Sequence, residues 1–257
     1  MRLTRVHVQA PLAGRDQVTL PEASSAHLVR VLRLGVGAPL RVFDGCGGEY
    51  EAVIAAVGKR GVDLALGHHH AIERESPLQV TLLQGLSRGE RMDFTLQKAT
   101  ELGVTAIQPV LARRSNVKLD ADSTPRKLSH WQAIVASACE QSGRNRVPAV
   151  LAPLDVGDAC ASVRAPLRLM LAVDGAQPLP QVLAAAGAPR EVALLIGPEG
   201  GLDEAEEAVA RRAGFTSVLL GPRVLRTETA PLAALAALQA LAGDFALHQD
   251  AAATSAG

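Results

Sequence analysis

From Leu78 onward, short apolar runs alternate with helix-like stretches, and this alternation limits the fold more than any other feature of the chain. The runs contain few polar positions, so they differ from strands that expose one face to water. Strands that are apolar on both faces are typical of a parallel sheet covered by helices. We therefore predict an α/β domain over residues 76–246, with strands at Leu78–Gln84, Val104–Val110, Leu167–Val173, Glu191–Ile196 and Thr216–Leu220.

Two helices between these strands have recognisable ends. Glu90–Leu102 has helical periodicity and is followed by Gly103, which suits the left-handed residue after a helix. Thr124–Ser142 starts with an N-cap threonine and a proline in the first turn, and a glycine follows it as well. These signals support the alternation of strands and helices.

Residues 1–75 have the pattern of a small β domain. Short β-rich runs, separated by turns that contain glycine, occur at Arg2–Gln9, Leu40–Phe43, Glu49–Val57 and Val62–Leu66. One helix fits between them at Glu22–Leu34 and ends at Gly35. Short strands around one helix suggest a small barrel. The polar segment Ala71–Pro77 is the predicted linker, with the domain boundary between residues 75 and 76.

Composition excludes several classes of protein. Hydrophobic residues make up 48% of the chain, enough for a core, but aromatic residues make up only 2%, which counts against RNA binding by aromatic stacking. Cys46, Cys139 and Cys160 form no CxxC pair, so we expect reduced thiols. No secretory signal or membrane-spanning run is recognisable, so we expect a soluble cytoplasmic protein with no membrane partner. Residues 247–257 are expected to be a disordered tail.

Charge is unevenly distributed although its total is zero. Residues 76–150 hold 10 Lys/Arg and 6 Asp/Glu, whereas residues 151–257 hold 7 and 12. A basic middle third would suit the binding of a polyanion. Solvated charges on ordinary helices explain the same counts equally well.

A glycine-rich loop, Ile196-Gly-Pro-Glu-Gly-Gly-Leu202, follows one of the predicted strands. We call it the first Gly-Pro loop. It lies where α/β sheets bind ligands, and its glycines allow close approach of the backbone. Asp203 and Glu206 after it fit a capping box. The alternative is a tight turn that binds nothing.

The first Gly-Pro loop is unlike the common phosphate-binding loops. The chain has neither GxxxxGK[ST] nor GxGxxG after a strand. Glu199 within the loop would repel phosphate, whereas the positive sulfonium of S-adenosylmethionine would not suffer that repulsion. The loop therefore favours a cationic ligand.

The second Gly-Pro loop, Leu220-Gly-Pro-Arg-Val-Leu-Arg-Thr-Glu228, follows the next predicted strand. Polar residues before a helix often only cap it. Capping does not require two arginines, however, and Arg223 and Arg226 fit anion binding or the stabilisation of charge that develops on a nucleobase.

Together, IGPEGGL and LGPRVLRTETA resemble the RsmE family, the uridine-N3 methyltransferases of small-subunit (16S) ribosomal RNA in the SPOUT superfamily. Three further segments match this family, at His27–Leu34, Lys98–Val104 and Ala138–Pro148. The resemblance implies a PUA-like β-barrel, then a SPOUT-type α/β domain with a C-terminal trefoil knot. It also implies a homodimer, with the helix after Pro231 near the interface, although burial within one subunit is an alternative for that helix.

The resemblance further implies S-adenosyl-L-methionine as the methyl donor, bound bent in the knot loops without a metal. Carried over by position, its pocket comprises Leu171, Val173, Asp174, Ile196, Gly197, Pro198, Glu199, Gly200, Gly201, Leu220, Gly221, Pro222, Leu225, Arg226 and Thr227.

Catalysis of methyl transfer to uracil N3 requires a group that handles the N3 proton. Arg226 is our candidate for stabilising negative charge on the uracil oxygens. Glu199 and Glu228 are the first candidates for the general base, and Glu140 is the next candidate. Each carboxylate could instead belong to a helix end or an ion pair.

Basic residues along the chain are candidates for RNA contact, although solvated surface charge explains each of them equally well. The candidates are Arg30, Arg33, Arg113, Arg114, Lys118, Arg144 and Arg146.

Two other features receive a structural interpretation. His68–His70 has no acidic partner motif and its neighbours alternate between strand faces, so we expect no metal there. Trp131 shares helical spacing with apolar residues and is expected in the core. The rival functions are methylation of a different acceptor, such as a ribose hydroxyl, and RNA binding without catalysis.

Overall fold

The structure is a computed structural model that describes residues 3–59, 61–117, 119–120, 122–172, 176–187 and 189–246. The chain divides into two compact units. The first comprises Met1–Glu75 with Ala136–Val147, and the second comprises Ser76–Val135 with Pro148–Gly257. The first unit ends at the predicted boundary after residue 75, but it also includes a later segment, Ala136–Val147, which interrupts the second unit in sequence. The predicted tail, residues 247–257, lies outside the described residues.

The described part of the first unit forms one five-stranded sheet. Its strands are β1 (Arg5–His7), β2 (Gln17–Thr19), β3 (Pro39–Phe43), β4 (Glu49–Gly58) and β5 (Gly61–His70). The order is β1-β3-β4-β5-β2, with β1 parallel to β3 and the other pairs antiparallel. Alternate strand residues, including Val42, Ile54 and Leu64, fill an apolar core. The predicted small β domain is confirmed.

The helix of the first unit ends earlier than predicted. It consists of α1 (Glu22–Ala26), continued by a π-helical turn over His27–Val31. The backbone N–H of Leu34 then bonds the carbonyl of Leu28 at 3.0 Å, and Arg33 adopts a left-handed φ of 55°. Arg33 therefore takes the position that glycine usually takes after a helix, so the predicted end at Gly35 is wrong.

The segment from residue 136 to 147 is held in the first unit by buried polar contacts. Arg5 Nη2 donates to the carbonyl of Arg144 at 2.9 Å and to Asn145 Oδ1 at 2.6 Å. Arg144 is only 4% exposed, and its Nε donates to Glu75 at 3.1 Å. The prediction that Arg144 contacts RNA is weakened, because its guanidinium is buried against the Glu75 carboxylate.

The carboxyl group of Glu140 makes the stability of the first unit depend on pH. Burial raises its pKa, although a hydrogen bond from the His7 N–H opposes the shift. The folded state thus favours the protonated form, which stabilises the fold at low pH; this contribution is lost as pH rises through the folded pKa.

We expect Glu140→Gln to raise the melting temperature increasingly as pH rises from below the ordinary glutamate pKa towards neutrality. The amide oxygen still accepts the His7 N–H but carries no charge to bury. Thermal unfolding of both proteins across this pH range measures the difference. The exposed Glu22→Gln is the control, and a pH-independent difference for Glu140→Gln would contradict the argument.

The second unit contains a parallel sheet of eight strands in its described part. The strands are β6 (Gln79–Gly85), β7 (Ala106–Leu111), β8 (Ala149–Val150), β9 (Leu154–Asp155), β10 (Leu167–Leu171), β11 (Gln177–Pro178), β12 (Glu191–Ile196) and β13 (Thr216–Leu219). Their order is β11-β13-β10-β12-β6-β7-β8, and β9 also pairs with β7. Every pairing is parallel, which confirms the predicted sheet type.

Helices alternate with these strands as predicted. They are α2 (Glu90–Glu101), α3 (Thr124–Ser142), α4 (Val156–Ser162), α5 (Leu179–Ala186), α6 (Glu204–Arg212) and α7 (Thr229–Ala242). Trp131 on α3 is 4% exposed, which confirms its assignment to the core. Within the described ranges, none of the helices combines the length and apolarity that a membrane crossing requires.

The strand order decides which loops meet at the carboxyl edge of the sheet. The two Gly-Pro loops follow β12 and β13, which are consecutive in the chain, but β10 lies between these strands in the sheet. Met170 pairs with Leu195 on one side, and Leu171 pairs with Val218 on the other. The two loops therefore follow the strands on either side of β10, and the end of β10 lies between them.

Candidate active site

A cleft of about 1280 Å³ lies at the carboxyl edge of the second sheet. Its walls are the two Gly-Pro loops, and Leu171 and Ala172 line it where β10 ends. Sites for small molecules usually occupy about 300–1000 Å³. The cleft is thus large enough for a small molecule together with part of a second reactant.

The first Gly-Pro loop is held against the sheet by close backbone packing. A Cβ on Gly85, the last residue of β6, would lie 2.7 Å from the carbonyl carbon of Gly197 and from Pro198 Cδ. Only glycine permits that approach. Gly201 closes the loop, because its N–H donates to the Pro198 carbonyl at 2.9 Å and its φ is 69°.

A side-chain hydrogen bond joins the two Gly-Pro loops. Thr227 Oγ1 donates to the Gly197 carbonyl at 3.1 Å, and Thr227 is buried. This partly buried bond fixes the spacing of the two walls. Thr227 therefore holds the two loops in position and also lines the cleft between them.

The helix after the first loop begins with the predicted capping box. Asp203 accepts the backbone N–H of Glu206 at 2.8 Å, and Glu206 accepts that of Asp203 at 2.9 Å. The hydrogen bond from Glu206, with the charge of Arg113, lowers the pKa of Asp203. The capping box is confirmed, and it fixes where the loop ends and α6 begins.

Two of the predicted RNA contacts, Arg113 and Arg114, lie beside the first loop. Arg113 is 72% exposed at its side chain but pairs with Asp203 at 3.2 Å. Arg114 lines the cleft, and its Nη1 donates to the carbonyls of Gly200 and Leu202 at 3.4 and 3.3 Å. Arg114 is therefore hydrogen-bonded to the first loop, and Arg113 is paired with the residue that follows it. RNA contact by either arginine stays a prediction.

Glu199 lines the cleft, but one of its oxygens is already bound. Its Oε1 accepts Arg91 Nη1 at 3.1 Å and the Arg88 N–H at 3.4 Å. Its Oε2 is buried and has no hydrogen-bond partner among the described residues. The carboxylate therefore ties α2 to the first loop, which weakens the prediction that it acts as a base.

Sequence reasoning missed Arg91, although a signal for it existed. Arg91 lies in the first turn of α2, the helix that follows β6 in the chain, and β6 pairs with β12. Parallel neighbours end at the same edge of a sheet, so a residue just after β6 lies near the loop after β12. The order of the strands was needed to use that signal.

The second Gly-Pro loop presents charged groups that are not engaged. No hydrogen bond or ion pair joins the Arg223 or Arg226 guanidinium to any residue that the structure describes. The backbone carbonyl of Arg226 accepts Thr229 N–H and Ala230 N–H at 2.9 Å, which fixes its position at the start of α7. Arg226 is exposed at the cleft and free to meet a ligand.

Glu228 occupies the N-cap position of α7, yet its carboxylate makes no capping hydrogen bond. It is half-buried and lines the cleft. Within the described residues it has no ion-pair partner, in contrast to Glu199. Of the two predicted bases, Glu228 is therefore the one whose carboxylate is available.

The cleft carries charges of both signs. Four glutamates line it, which suits a cationic ligand better than a polyphosphate. Arg91 and Arg211 are paired with two of these glutamates. Of the other arginines that line the cleft, Arg114 donates to carbonyls of the first loop, and Arg223 and Arg226 lie on the second loop. The lining glutamates are Glu199, Glu204, Glu207 and Glu228.

Most residues of the predicted pocket meet in this cleft. Gly200 is excluded from its lining because it packs against Arg114. Val173 and Asp174, together with Lys118, lie outside the described residues. The residues brought together are Leu171, Ile196, Gly197, Pro198, Glu199, Gly201, Leu220, Gly221, Pro222, Leu225, Arg226 and Thr227.

The remaining candidates lie in the first unit. Arg30 and Arg33 are exposed, and Arg146 is exposed but pairs with Glu73 at 3.4 Å. Glu140 accepts the His7 N–H at 2.8 Å there.

The histidine run shows no metal-binding arrangement. His70 contacts Glu51 at 3.0 Å, and the rings of His68 and His70 meet edge to face at 4.8 Å. Across the described ranges of the chain, no three His, Cys, Asp or Glu side chains are grouped so that they could hold a metal.

Two known protein families match this chain, one over each part of it. The RNA methyltransferase domain matches residues 74–239, and the RNA methyltransferase PUA domain matches residues 20–66. The chain is also similar to the ribosomal RNA small subunit methyltransferase E of Synechocystis sp., with 38% identity over 232 residues. The match covers 87% of this chain and 73% of that protein.

Two solved structures have the same fold over 95% of this chain and the whole of theirs. A ribosomal RNA small subunit methyltransferase E from Neisseria gonorrhoeae, bound to S-adenosyl methionine, has a TM-score of 0.85 and 41% identity. A protein from Legionella pneumophila, solved in complex with the cofactor SAM, has a TM-score of 0.90 and 36% identity. The fold is therefore that of SPOUT-type RNA methyltransferases with a PUA domain.

Proposed function

The chain belongs to the ribosomal RNA small subunit methyltransferase E family, and we propose that it methylates N3 of a specific uridine in 16S ribosomal RNA, using S-adenosyl-L-methionine. The observation that carries this proposal is the cleft in which two backbone-rich loops and an unengaged Arg226 meet. The small ribosomal subunit is the proposed partner.

The cleft fits S-adenosylmethionine in charge and in size. This cofactor supplies a methyl group already activated on a sulfonium centre, so a carboxylate-rich wall suits it. Backbone groups at Gly197 and Gly221 are accessible from the cleft because neither residue has a side chain. Thr227 holds the two loops at a fixed spacing, which pre-organises the site. The volume leaves room for a nucleobase beside the cofactor.

Arg226 is proposed to stabilise the uracil as its N3 loses a proton. Negative charge then spreads onto the two ring carbonyl oxygens, and a guanidinium that is already in place stabilises it. Arg226 suits this role because its backbone is fixed by Thr229 and Ala230 while its side chain is unengaged.

Glu228 is our candidate for accepting the N3 proton, with Glu199 as the alternative. Its carboxylate lines the cleft two residues from Arg226. A general base must approach within hydrogen-bond distance of its proton, and a carboxylate without a partner can do so. In Glu199, by contrast, Oε1 is bound by Arg91 and Arg88.

Three further properties that the family resemblance implies belong to the proposal. We infer that the C-terminal part of the second unit forms a trefoil knot and that the chain acts as a cytoplasmic homodimer. Leu241 and Phe245, which are exposed at and beyond the end of α7, support a dimer contact there. The N3 position lies on the Watson–Crick edge, so the target uridine must be unpaired or extruded when it reacts.

The proposal is tested by two measurements on the full-length protein. Calorimetric titration with S-adenosylmethionine should show binding, and no binding to the folded protein would favour RNA binding without catalysis. Small subunits from cells that lack the protein should then accept labelled methyl from S-adenosylmethionine. Nucleoside analysis should place the label on uracil N3, and label on a ribose hydroxyl would support the rival acceptor.

A further inference from the structure

Val224 stands out at the rim of the cleft. Val224 is 80% exposed, more than any other large apolar residue in the described ranges. Gly221, with a φ of 84°, turns the chain just before it, so that Val224 lies on the second Gly-Pro loop beyond the end of β13. Single exposed apolar residues are common, so its surroundings must decide whether it has a role.

Those surroundings carry unneutralised positive charge. Arg223 precedes Val224 and Arg226 follows it two residues later, and neither guanidinium has a partner among the described residues. All three residues line the cleft. By contrast, the cleft arginines Arg91 and Arg211 are each paired with a glutamate. The second Gly-Pro loop thus offers one apolar side chain and two unpaired cations close together in sequence, which suits the apolar bases and the phosphates of one RNA strand.

Nucleic-acid-binding proteins use this combination to unstack a strand. Apolar side chains are inserted between base steps, while arginines and lysines contact the flanking phosphates. Extraction of a base costs stacking energy, and a side chain that takes the place of the base offsets part of that cost. Val224 has the exposure for such a role, and Arg223 has the free charge.

We propose that Val224 inserts into the RNA strand beside the target uridine and occupies the space that the extruded base leaves, while Arg223 contacts an adjacent phosphate. The inference rests on the proposed function, since it needs a uridine in the cleft. It assigns Val224 as a positioning residue for the RNA, distinct from the residues that contact the cofactor.

The test measures methyl transfer to small subunits from cells that lack the protein, with cofactor affinity and oligomeric state as further readouts. Val224→Ala should lower kcat/KM about tenfold, because the truncated side chain no longer fills the vacated space. Val224→Leu should retain activity within about twofold, because it restores apolar volume. Val57→Ala, an exposed valine on β4, is the matched control and should behave as wild type.

Each other outcome is informative. Equal activity of wild type and Val224→Ala would overturn the inference and leave the proposed function intact. A parallel loss of cofactor affinity would place Val224 against the cofactor, and a change of oligomeric state would place it against a second copy; either would overturn the inference. A wild-type protein that transfers no methyl group would instead refute the proposed function.

Discussion

Arg226→Ala is expected to lower kcat by about 100- to 1000-fold, the usual cost of removing one preorganised group that stabilises developing negative charge. Cofactor affinity should change much less, because the Arg226 side chain is exposed at the cleft and has no bond to either loop. Single-turnover methyl transfer and calorimetry with S-adenosylmethionine measure the two quantities separately.

Arg212→Ala is the matched control for this substitution. Arg212 is an exposed arginine at the end of α6 and is not among the residues that line the cleft, so its loss should leave both quantities near wild type. Equal losses of turnover and of cofactor affinity in Arg226→Ala would reduce Arg226 to a binding residue.

Gly85→Ala is expected to displace the first Gly-Pro loop and so to lower both stability and activity. The added methyl group would lie 2.7 Å from two atoms of the first Gly-Pro loop, so the loop must move. Overpacking of this kind costs about 1–3 kcal/mol of folding free energy. A displacement of about 1 Å in groups that position reactants can also lower the rate about 100-fold. Thermal unfolding, calorimetry and the methyl-transfer rate measure these effects.

Gly35→Ala separates this effect from the general cost of replacing glycine. Nothing lies within 4 Å of a Cβ at Gly35, and its backbone φ is one that other residues adopt. This control should therefore be nearly neutral. Wild-type cofactor binding by Gly85→Ala would show that the packing of Gly85 against the loop does not shape the cleft.

Local sequence signals were reliable where a single element carried them. The strand Glu191–Ile196 and the helix Thr124–Ser142 have the predicted bounds. In each case an apolar pattern and a flanking glycine or proline define the element without help from the rest of the chain. The glycine loops and the capping box at Asp203 were predictable for the same reason.

Features that depend on distant contacts were not predictable. The position of β10 between β12 and β13 follows from strand pairing, which no local pattern encodes. The burial of Arg144 depends on Glu75, which is 69 residues away in sequence, and Glu199 pairs with Arg91 across 108 residues. The predicted roles of Arg144 in RNA contact and of Glu199 as a base are therefore weakened by partners that no local pattern reveals.

Mass mapping of methylated nucleosides in 16S ribosomal RNA tests the central claim most directly. In cells that lack this protein, we predict the loss of N3-methylation at one uridine. Expression of the wild-type chain should restore the methyl group, and expression of Arg226→Ala should not. If every N3-methyluridine remained in cells without the protein, the proposed function would be wrong.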